Sequence, residues 1–152
     1  MFTKSYLKKE KNFDAMVGII GFNILKIEAE RSPETKGKIS INNNIQIKDI
    51  EKTELFLGKS KQEGLRFRFE YVSSYEPKIG KITLTGDLVA VEEKEKASEI
   101  VEGWKKNKKI STEIMAPVIN SILNRCNIQA ILLSREIGLP PPVQLPKVQV
   151  KK

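Results

Sequence analysis

The residue types that carry out most enzyme chemistry are scarce in this sequence. Its 152 residues include no histidine, which excludes histidine-based acid–base catalysis, histidine metal sites and Ser-His-Asp or Cys-His nucleophile pairs. The one cysteine, Cys126, cannot form an intramolecular disulfide or a zinc cluster by itself. Phosphate-binding loops of the GxGxxG or GxxxxGK(S/T) type do not occur. Pairs of Asp and Glu could still meet in the fold, but no motif supports a reaction, so we predict a protein that is not an enzyme and has no metal or cofactor.

Aromatic and basic side chains alternate in one segment. Phe67, Phe69 and Tyr71 share one parity, and Arg66 and Arg68 share the other. Aromatic rings beside arginines can stack on the bases of single-stranded nucleic acid. However, a helix that covers a sheet needs an apolar sheet face, and this row is the best one in the chain. We therefore predict that these rings lie in the core and not in a nucleic-acid site.

Three other segments have both a structural and a functional interpretation. Cys126 falls on an apolar helical stripe, where cysteine packs as a small hydrophobic residue, so packing is favoured over a redox role. The lysine-rich run at 105–109 is more typical of a solvated helix end than of a binding patch. The Leu-Pro-Pro-Pro sequence at 139–142 is superficially like an SH3 ligand, but packing of this segment on its own domain is favoured.

Length and composition predict one folded domain. The chain has 39% hydrophobic and 30% charged residues, within the range of globular proteins. Neither the first dozen residues nor the interrupted apolar stretch at 15–27 is typical of a signal peptide or a membrane span. Because the single cysteine gives no sign of an oxidising compartment, we predict a cytoplasmic protein without membrane insertion. The net charge of +8 favours an acidic partner: RNA, a membrane surface or an acidic protein.

The period of the apolar residues changes along the chain. They alternate between Ile19 and Val91, which predicts strands, and recur every three or four residues between Ile110 and Ile137, which predicts a helix. We expect about four strands in an antiparallel meander, since short connections favour hairpins. The apolar face of the second strand consists of Ile39, Ile41, Ile45 and Ile47. Asn43 interrupts this face, so we expect a pairing irregularity there.

Two helices are predicted after the strands. A short charged helix is expected within residues 92–109, and a long helix within residues 112–137 with Ser111 as its N-cap. Gly138 is the expected residue at which the long helix stops. The proline-rich residues 139–146 must then be extended.

The order of these elements resembles the SecB family of export chaperones. Residues 22–27 (FNILKI) look like the opening strand of that family, residues 117–125 (PVINSILNR) are similar to its long helix, and residues 138–142 (GLPPP) resemble its Gly-x-x-Pro tail. The resemblance covers about residues 19–145. It implies a long crossover after the first strand and a long C-terminal helix over an antiparallel sheet, but the segment from Glu92 to Lys109 stands where that family has a shorter link. With the short charged helix included, we expect a SecB-like α+β fold in which a sheet of about four antiparallel strands is packed by a long C-terminal helix and a short charged helix.

The resemblance also implies a function. A SecB-like protein is an ATP-independent holdase, a cytoplasmic homo-oligomer (dimer or tetramer) that binds unfolded client polypeptides along apolar grooves and serves protein export without a cofactor. The peptide-binding residues that it implies are Ile39, Ile41, Phe56, Leu139, Val143 and Leu145. A single domain would span 19–146, between a basic N-terminal segment, 1–18, and a basic C-terminal tail, 147–152.

The charge of the chain leaves an alternative function open. Typical SecB proteins are acidic and present that acidity to the basic tail of the SecA motor, whereas this chain carries +8. An RNA- or ribosome-associated basic protein is therefore the alternative, and it is favoured by lysines at both ends of the chain. These are Lys4, Lys8, Lys9, Lys11, Lys147, Lys151 and Lys152. An oligomeric scaffold without a ligand groove is a third hypothesis.

Overall fold

The protein forms two layers, a four-stranded antiparallel sheet and two helices that pack on one of its faces. The structure is a computed structural model that describes residues 18–34, 37–54 and 62–146. The elements are β1 (Ile19–Arg31), β2 (Ser40–Thr53), β3 (Gln62–Glu76), β4 (Gly80–Glu93), α1 (Lys94–Asn107) and α2 (Thr112–Glu136). The predicted α+β class is confirmed, including the strands before the helices and the short helix before the long one.

The order of the strands in the sheet is β1-β4-β3-β2, and every neighbouring pair is antiparallel. The predicted meander is correct for β2, β3 and β4 but wrong for β1, which pairs with β4 and not with β2. The crossover implied by the resemblance is therefore present. The Ser32 amide at its start donates a hydrogen bond to the Ile79 carbonyl at 2.7 Å, beside the β3–β4 turn. Alternation identifies which face of a strand is apolar, but it does not identify the neighbouring strand.

The apolar face of β3 forms the centre of the core. Its fully buried side chains are Leu65, Phe67, Phe69, Tyr71 and Tyr75. On β4 their neighbours are Ile82, Leu84, Leu88 and Ala90, which are also fully buried. The predicted burial of the aromatic row is confirmed, so these rings offer no surface on which bases could stack.

The long helix α2 covers this face through one stripe at four-residue spacing. The stripe consists of Val118, Ile122, Cys126, Ala130 and Ser134. Gly138 follows the helix with a φ of 70°, a left-handed conformation that favours glycine. The amides of Gly138 and Leu139 donate to the carbonyls of Arg135 and Ser134, at 3.3 and 2.8 Å, which completes a Schellman motif. The predicted stop is confirmed. Ser111 is the N-cap, as predicted, but its side chain makes no capping hydrogen bond.

The short helix α1 packs on the sheet through Ala97, Ile100, Val101 and Trp104. Lys108 ends it in a left-handed conformation with a φ of 54°. A hydrogen bond between β2 and α1 supports this placement, because the Lys52 ammonium on β2 donates to the Ser98 hydroxyl on α1 at 2.8 Å. The lysine-rich end of α1 is exposed, as predicted for a solvated helix end.

The predicted irregularity at Asn43 is wrong. Pairing of β2 with β3 is continuous from Ser40 to Ile47, and the register shifts only between Ile47 and Asp49. Asn43 stays in the strand because its side chain is hydrogen-bonded on both sides. It donates to the Pro142 carbonyl at 2.8 Å and accepts from the Ser73 hydroxyl at 2.7 Å.

Gly86 on β4 marks a close approach of backbones. A Cβ atom there would collide with the Asn23 carbonyl oxygen on β1 and would lie 3.0 Å from the Ile24 Cα. We expect Gly86→Ala to lower the free energy of unfolding by about 2 kcal/mol or more, because overpacking at an interior strand cannot relax without moving β1. The measurement is urea unfolding followed by circular dichroism.

The matched control is Gly103→Ala in α1, where the nearest atom to an added Cβ is the Lys109 carbonyl oxygen at 3.8 Å. Alanine is the better helix former, so this variant should gain about 0.5–1 kcal/mol. Equal effects of the two substitutions would contradict the close approach at Gly86.

Candidate functional site

Cys126 lies in the core and has no chemical role that the structure supports. Its side chain is fully buried on the face of α2 that packs on the sheet, as predicted, and burial raises the pKa of its thiol to about 12. A thiolate is the reactive form of cysteine, and this environment suppresses it. Among the described residues, no group of three or more acidic or cysteine side chains could hold a metal ion.

The peptide-binding residues implied by the resemblance lie in different environments. Ile39 and Ile41 are half-buried and pack against the core, and Leu139 is only 6% exposed. Leu139 contacts Gly80, so its side chain belongs to the core in this conformation. Val143 is half-buried, and Leu145 is exposed. Phe56, the sixth of these residues, lies outside the described residues, as do the lysines named at the two chain ends.

The extended tail after α2 lies across the first half of β2. The Tyr75 hydroxyl donates to the Pro140 carbonyl at 2.7 Å, and Asn43 holds the Pro142 carbonyl. Tyr75 is the partner of Ile41 in the β2–β3 ladder. The structure thus brings Ile41 and the tail into one region. Packing of this proline-rich segment on its own domain, predicted from the sequence, is confirmed.

A groove follows the middle of β2, and sequence reasoning did not identify it. An open cavity of about 470 Å³ is lined by Ile45, Gln46, Ile47, Lys48, Trp104 and Lys108. We call these six residues the β2 groove. β2 is an edge strand, and within the described part of the chain no strand pairs with its outer side. Backbone donors and acceptors on such an edge are available to an extended segment of another chain.

Trp104 lines the β2 groove and is almost wholly buried. Its side chain is 7% exposed, and its indole Nε1 is buried without a hydrogen-bond partner among the described residues. The Lys108 ammonium lies 5.0 Å from the ring centroid, a cation–π contact. The spacing of four residues between Trp104 and Lys108 places both on one side of α1 and was visible in the sequence. That this side borders an open strand edge was not.

Carboxylates near the β2 groove are already engaged. Glu51 accepts from Arg68 at 3.0 Å and lies 3.4 Å from Arg66, on the sheet face away from the helices. Asp49 accepts the Ile50 amide at 2.9 Å. Glu70 lies 3.9 Å from Lys48, at the limit of an ion pair, and both side chains are partly exposed. The lining of the groove itself contains two lysines and no carboxylate.

A second apolar surface lies at the opposite edge of the sheet. On β1, Leu25 is 70% exposed and Ile20 is 52% exposed. Both occupy positions at which the β1–β4 register shifts. On α2, Ile128 and Leu132 are more than half exposed. Arg125, on the same flank of α2, lies over the Phe22 ring of β1 at 5.1 Å, so this flank faces the β1 side of the sheet.

The fold is similar to that of a known chaperone. No protein-family model matches the chain, and no curated protein sequence matches it. Among solved structures it matches the Mycobacterium tuberculosis SecB-like chaperone Rv1957, in complex with a ChAD peptide from the Rv1956 HigA1 antitoxin, with a TM-score of 0.52 and 10% sequence identity. The match covers 89% of this chain and 92% of that chain. At this identity the likeness establishes a SecB-like fold. None of the described helices has the length and apolar character needed to span a membrane.

Burial of Cys126 makes folding sensitive to alkaline pH. Its pKa rises from an ordinary 9.0 to about 12 in the folded chain, so the protonated thiol stabilises the fold fully below pH 9. That contribution is lost as the pH rises from 9 towards 12, because only the unfolded chain then releases the proton. At pH 10 we expect a loss of about 1 kcal/mol from this group. The measurement is the free energy of urea unfolding at pH 8, 9 and 10.

Cys126→Ala is the control for this dependence. The variant loses packing at every pH, but its stability should fall less steeply between pH 8 and 10. Tyr75, whose pKa burial raises from 10.0 to about 12, acts in the same direction at higher pH in both proteins. Parallel pH profiles for the two proteins would contradict this role for the thiol.

Proposed function

We propose that this protein is an ATP-independent holdase that binds unfolded polypeptides by pairing extended client segments with the outer edge of β2. The observation that carries the proposal is the β2 groove, in which an unpaired strand edge lies beside Ile45, Ile47 and the Trp104 indole. The structural likeness to a SecB-like chaperone supports it. A cytoplasmic location and a role in protein export belong to the same proposal.

An open strand edge suits a binding site for many different clients. Backbone hydrogen bonds form with any sequence, and alternate side chains of an added strand point towards the same face. Half-buried isoleucines at Ile45 and Ile47 provide apolar contacts at that two-residue spacing. Burial of apolar client surface and strand pairing provide the free energy, so that holding needs no nucleotide.

The residues implied by the resemblance extend this surface towards the tail. Ile39 and Ile41 continue the apolar face of β2, and Val143 and Leu145 follow the segment that crosses it. We include them in the proposed client surface together with Phe56. Leu139 would take part only if the tail moved, because its side chain is buried.

We further propose that the chain forms a homo-oligomer through β1 and the exposed flank of α2. Large exposed apolar side chains are concentrated on these two elements of the described chain, the remaining one being Leu145 on the tail. An edge strand with apolar side chains favours pairing with another chain. Contact through β1 would leave β2, at the opposite edge of the sheet, open for clients.

Holdase activity is tested by diluting a chemically denatured client into buffer with and without an equimolar amount of the oligomer and following light scattering. We expect aggregation to be suppressed without nucleotide. A photo-crosslinking amino acid at Gln46, an exposed residue of the β2 groove, should capture the client. The same amino acid at Glu95 is the control, because Glu95 is exposed in the first turn of α1, about 14 Å along the helix from Trp104.

Aggregation that proceeds unchanged would contradict the holdase proposal. Equal crosslinking from Gln46 and Glu95 would contradict the placement of the client site at the β2 groove. The alternative function is tested with the same samples. Binding of a generic RNA with affinity that falls steeply as salt rises, together with no binding of the client, would favour a nucleic-acid-binding protein.

The oligomer interface is tested by Leu25→Arg. Leu25 is largely exposed in the monomer, so the substitution should leave the fold intact but place a charge in the proposed contact. We expect the native mass from light scattering to fall to that of a smaller assembly. Asn44→Arg, at an exposed position of β2, is the control and should leave the native mass unchanged. A wild-type protein that is already monomeric, or a variant of unchanged mass, would contradict the interface.

A further inference from the structure

The β2 groove has a chemical character that restricts which client segments it binds. We propose, on the basis of the proposed holdase function, that it selects extended segments carrying carboxylate side chains next to apolar ones. Lys48 and Lys108 would be the specificity-determining residues, and the Trp104 indole would donate to an acceptor oxygen of the client. The occupant is thus an acidic, apolar polypeptide segment in extended conformation.

The Trp104 indole requires an acceptor. Trp104 lines the groove, and its N–H is buried without a partner among the described residues, whereas buried donors in folded proteins are nearly always paired. In this conformation the N–H has almost no accessible area, so a client could supply the acceptor, as a backbone carbonyl or a carboxylate, only after the side chains around the indole move. An apolar side chain alone cannot, so the site favours ligands with oxygen atoms beside their apolar groups.

The charge of the lining favours carboxylates as the source of those oxygens. Lys48 and Lys108 line the groove, and Lys105, Lys106 and Lys109 follow at the same end of α1. No carboxylate lines it, and the Glu70 side chain holds Lys48 only at 3.9 Å. Glu102 on α1 lies two residues before Trp104, a spacing that places it on another side of the helix. Lys48 therefore has only the long contact with Glu70, and Lys108 has no ion pair among the described residues.

Polypeptide fits this groove better than nucleic acid does. The Trp104 ring is 7% exposed and is covered by the Lys108 ammonium, so it has no open face on which a base could stack. The outer edge of β2 presents peptide groups at the spacing of another strand, to which a sugar–phosphate backbone has no match.

Three synthetic peptides of ten residues, shorter than the 14 residues of β2, test the selection. All carry valine or leucine at alternate positions, and the positions between them are glutamate, glutamine or lysine. None contains tryptophan, so fluorescence of Trp104, the only tryptophan of the chain, reports occupancy of the groove. We expect the glutamate peptide to bind about tenfold more tightly than the glutamine peptide at low salt, with the lysine peptide weakest. The difference should shrink as salt screens the charges.

Variants assign the preference to particular residues. Lys48→Gln combined with Lys108→Gln should bring the glutamate and glutamine peptides to within about twofold of each other and leave the glutamine peptide unaffected. Lys94→Gln combined with Lys96→Gln, exposed at the other end of α1, is the matched control and should preserve the preference. Trp104→Phe keeps an aromatic side chain, smaller than the indole, but removes the N–H donor. It should weaken all three peptides, measured by anisotropy of labelled peptides.

The outcomes separate this inference from the function on which it rests. Equal binding of the three peptides, or tightest binding of the lysine peptide, would overturn the selection but leave the holdase proposal standing. Failure of all three to bind, with client aggregation unaffected, would overturn both. Displacement of a bound glutamate peptide by single-stranded RNA would also overturn the assignment of the groove to polypeptide.

Discussion

Burial of the apolar face of β3 is the constraint on which the rest of this structure depends. Phe67, Phe69 and Tyr71 are fully excluded from water and are among the largest buried side chains of the core. Neither neighbouring strand can cover that face, so α2 must lie across it. The Tyr71 hydroxyl donates to the Asn127 side chain on α2 at 3.0 Å, so the packing of α2 on β3 also satisfies a buried polar group.

Covering one sheet face with helices leaves the strand edges as the surfaces with unpaired backbone groups. The two edges of this sheet differ in chemistry. β1 has exposed apolar side chains and lies near the apolar flank of α2, whereas β2 lies beside a tryptophan and lysines. Assembly at one edge and client binding at the other are therefore physically compatible, since they use separate backbone groups.

The class and order of the elements were predictable from local pattern. A change of apolar period, a glycine after the last helical residue and a run of alternating aromatics each act within a few residues. Pairing was not predictable in the same way. β1 pairs with β4, and its Phe22 stacks across β4 on Phe69 of β3 at 5.3 Å. Asn43 stays in register because Pro142, 99 residues later, accepts its amide. Contacts across such separations leave no local periodic signal.

The candidate site shows the same division. Sequence alone determined that the chain lacks histidine chemistry, that its aromatic row belongs to the core and that its surface is basic, because these follow from composition and period. Trp104 and Lys108 are also four residues apart in the sequence, a spacing that corresponds to one side of a helix. Only the tertiary structure decided that this side borders the open edge of β2 and that the indole N–H is left without an acceptor among the described residues. A groove between two elements depends on how they pack, and packing joins residues that are distant in the sequence.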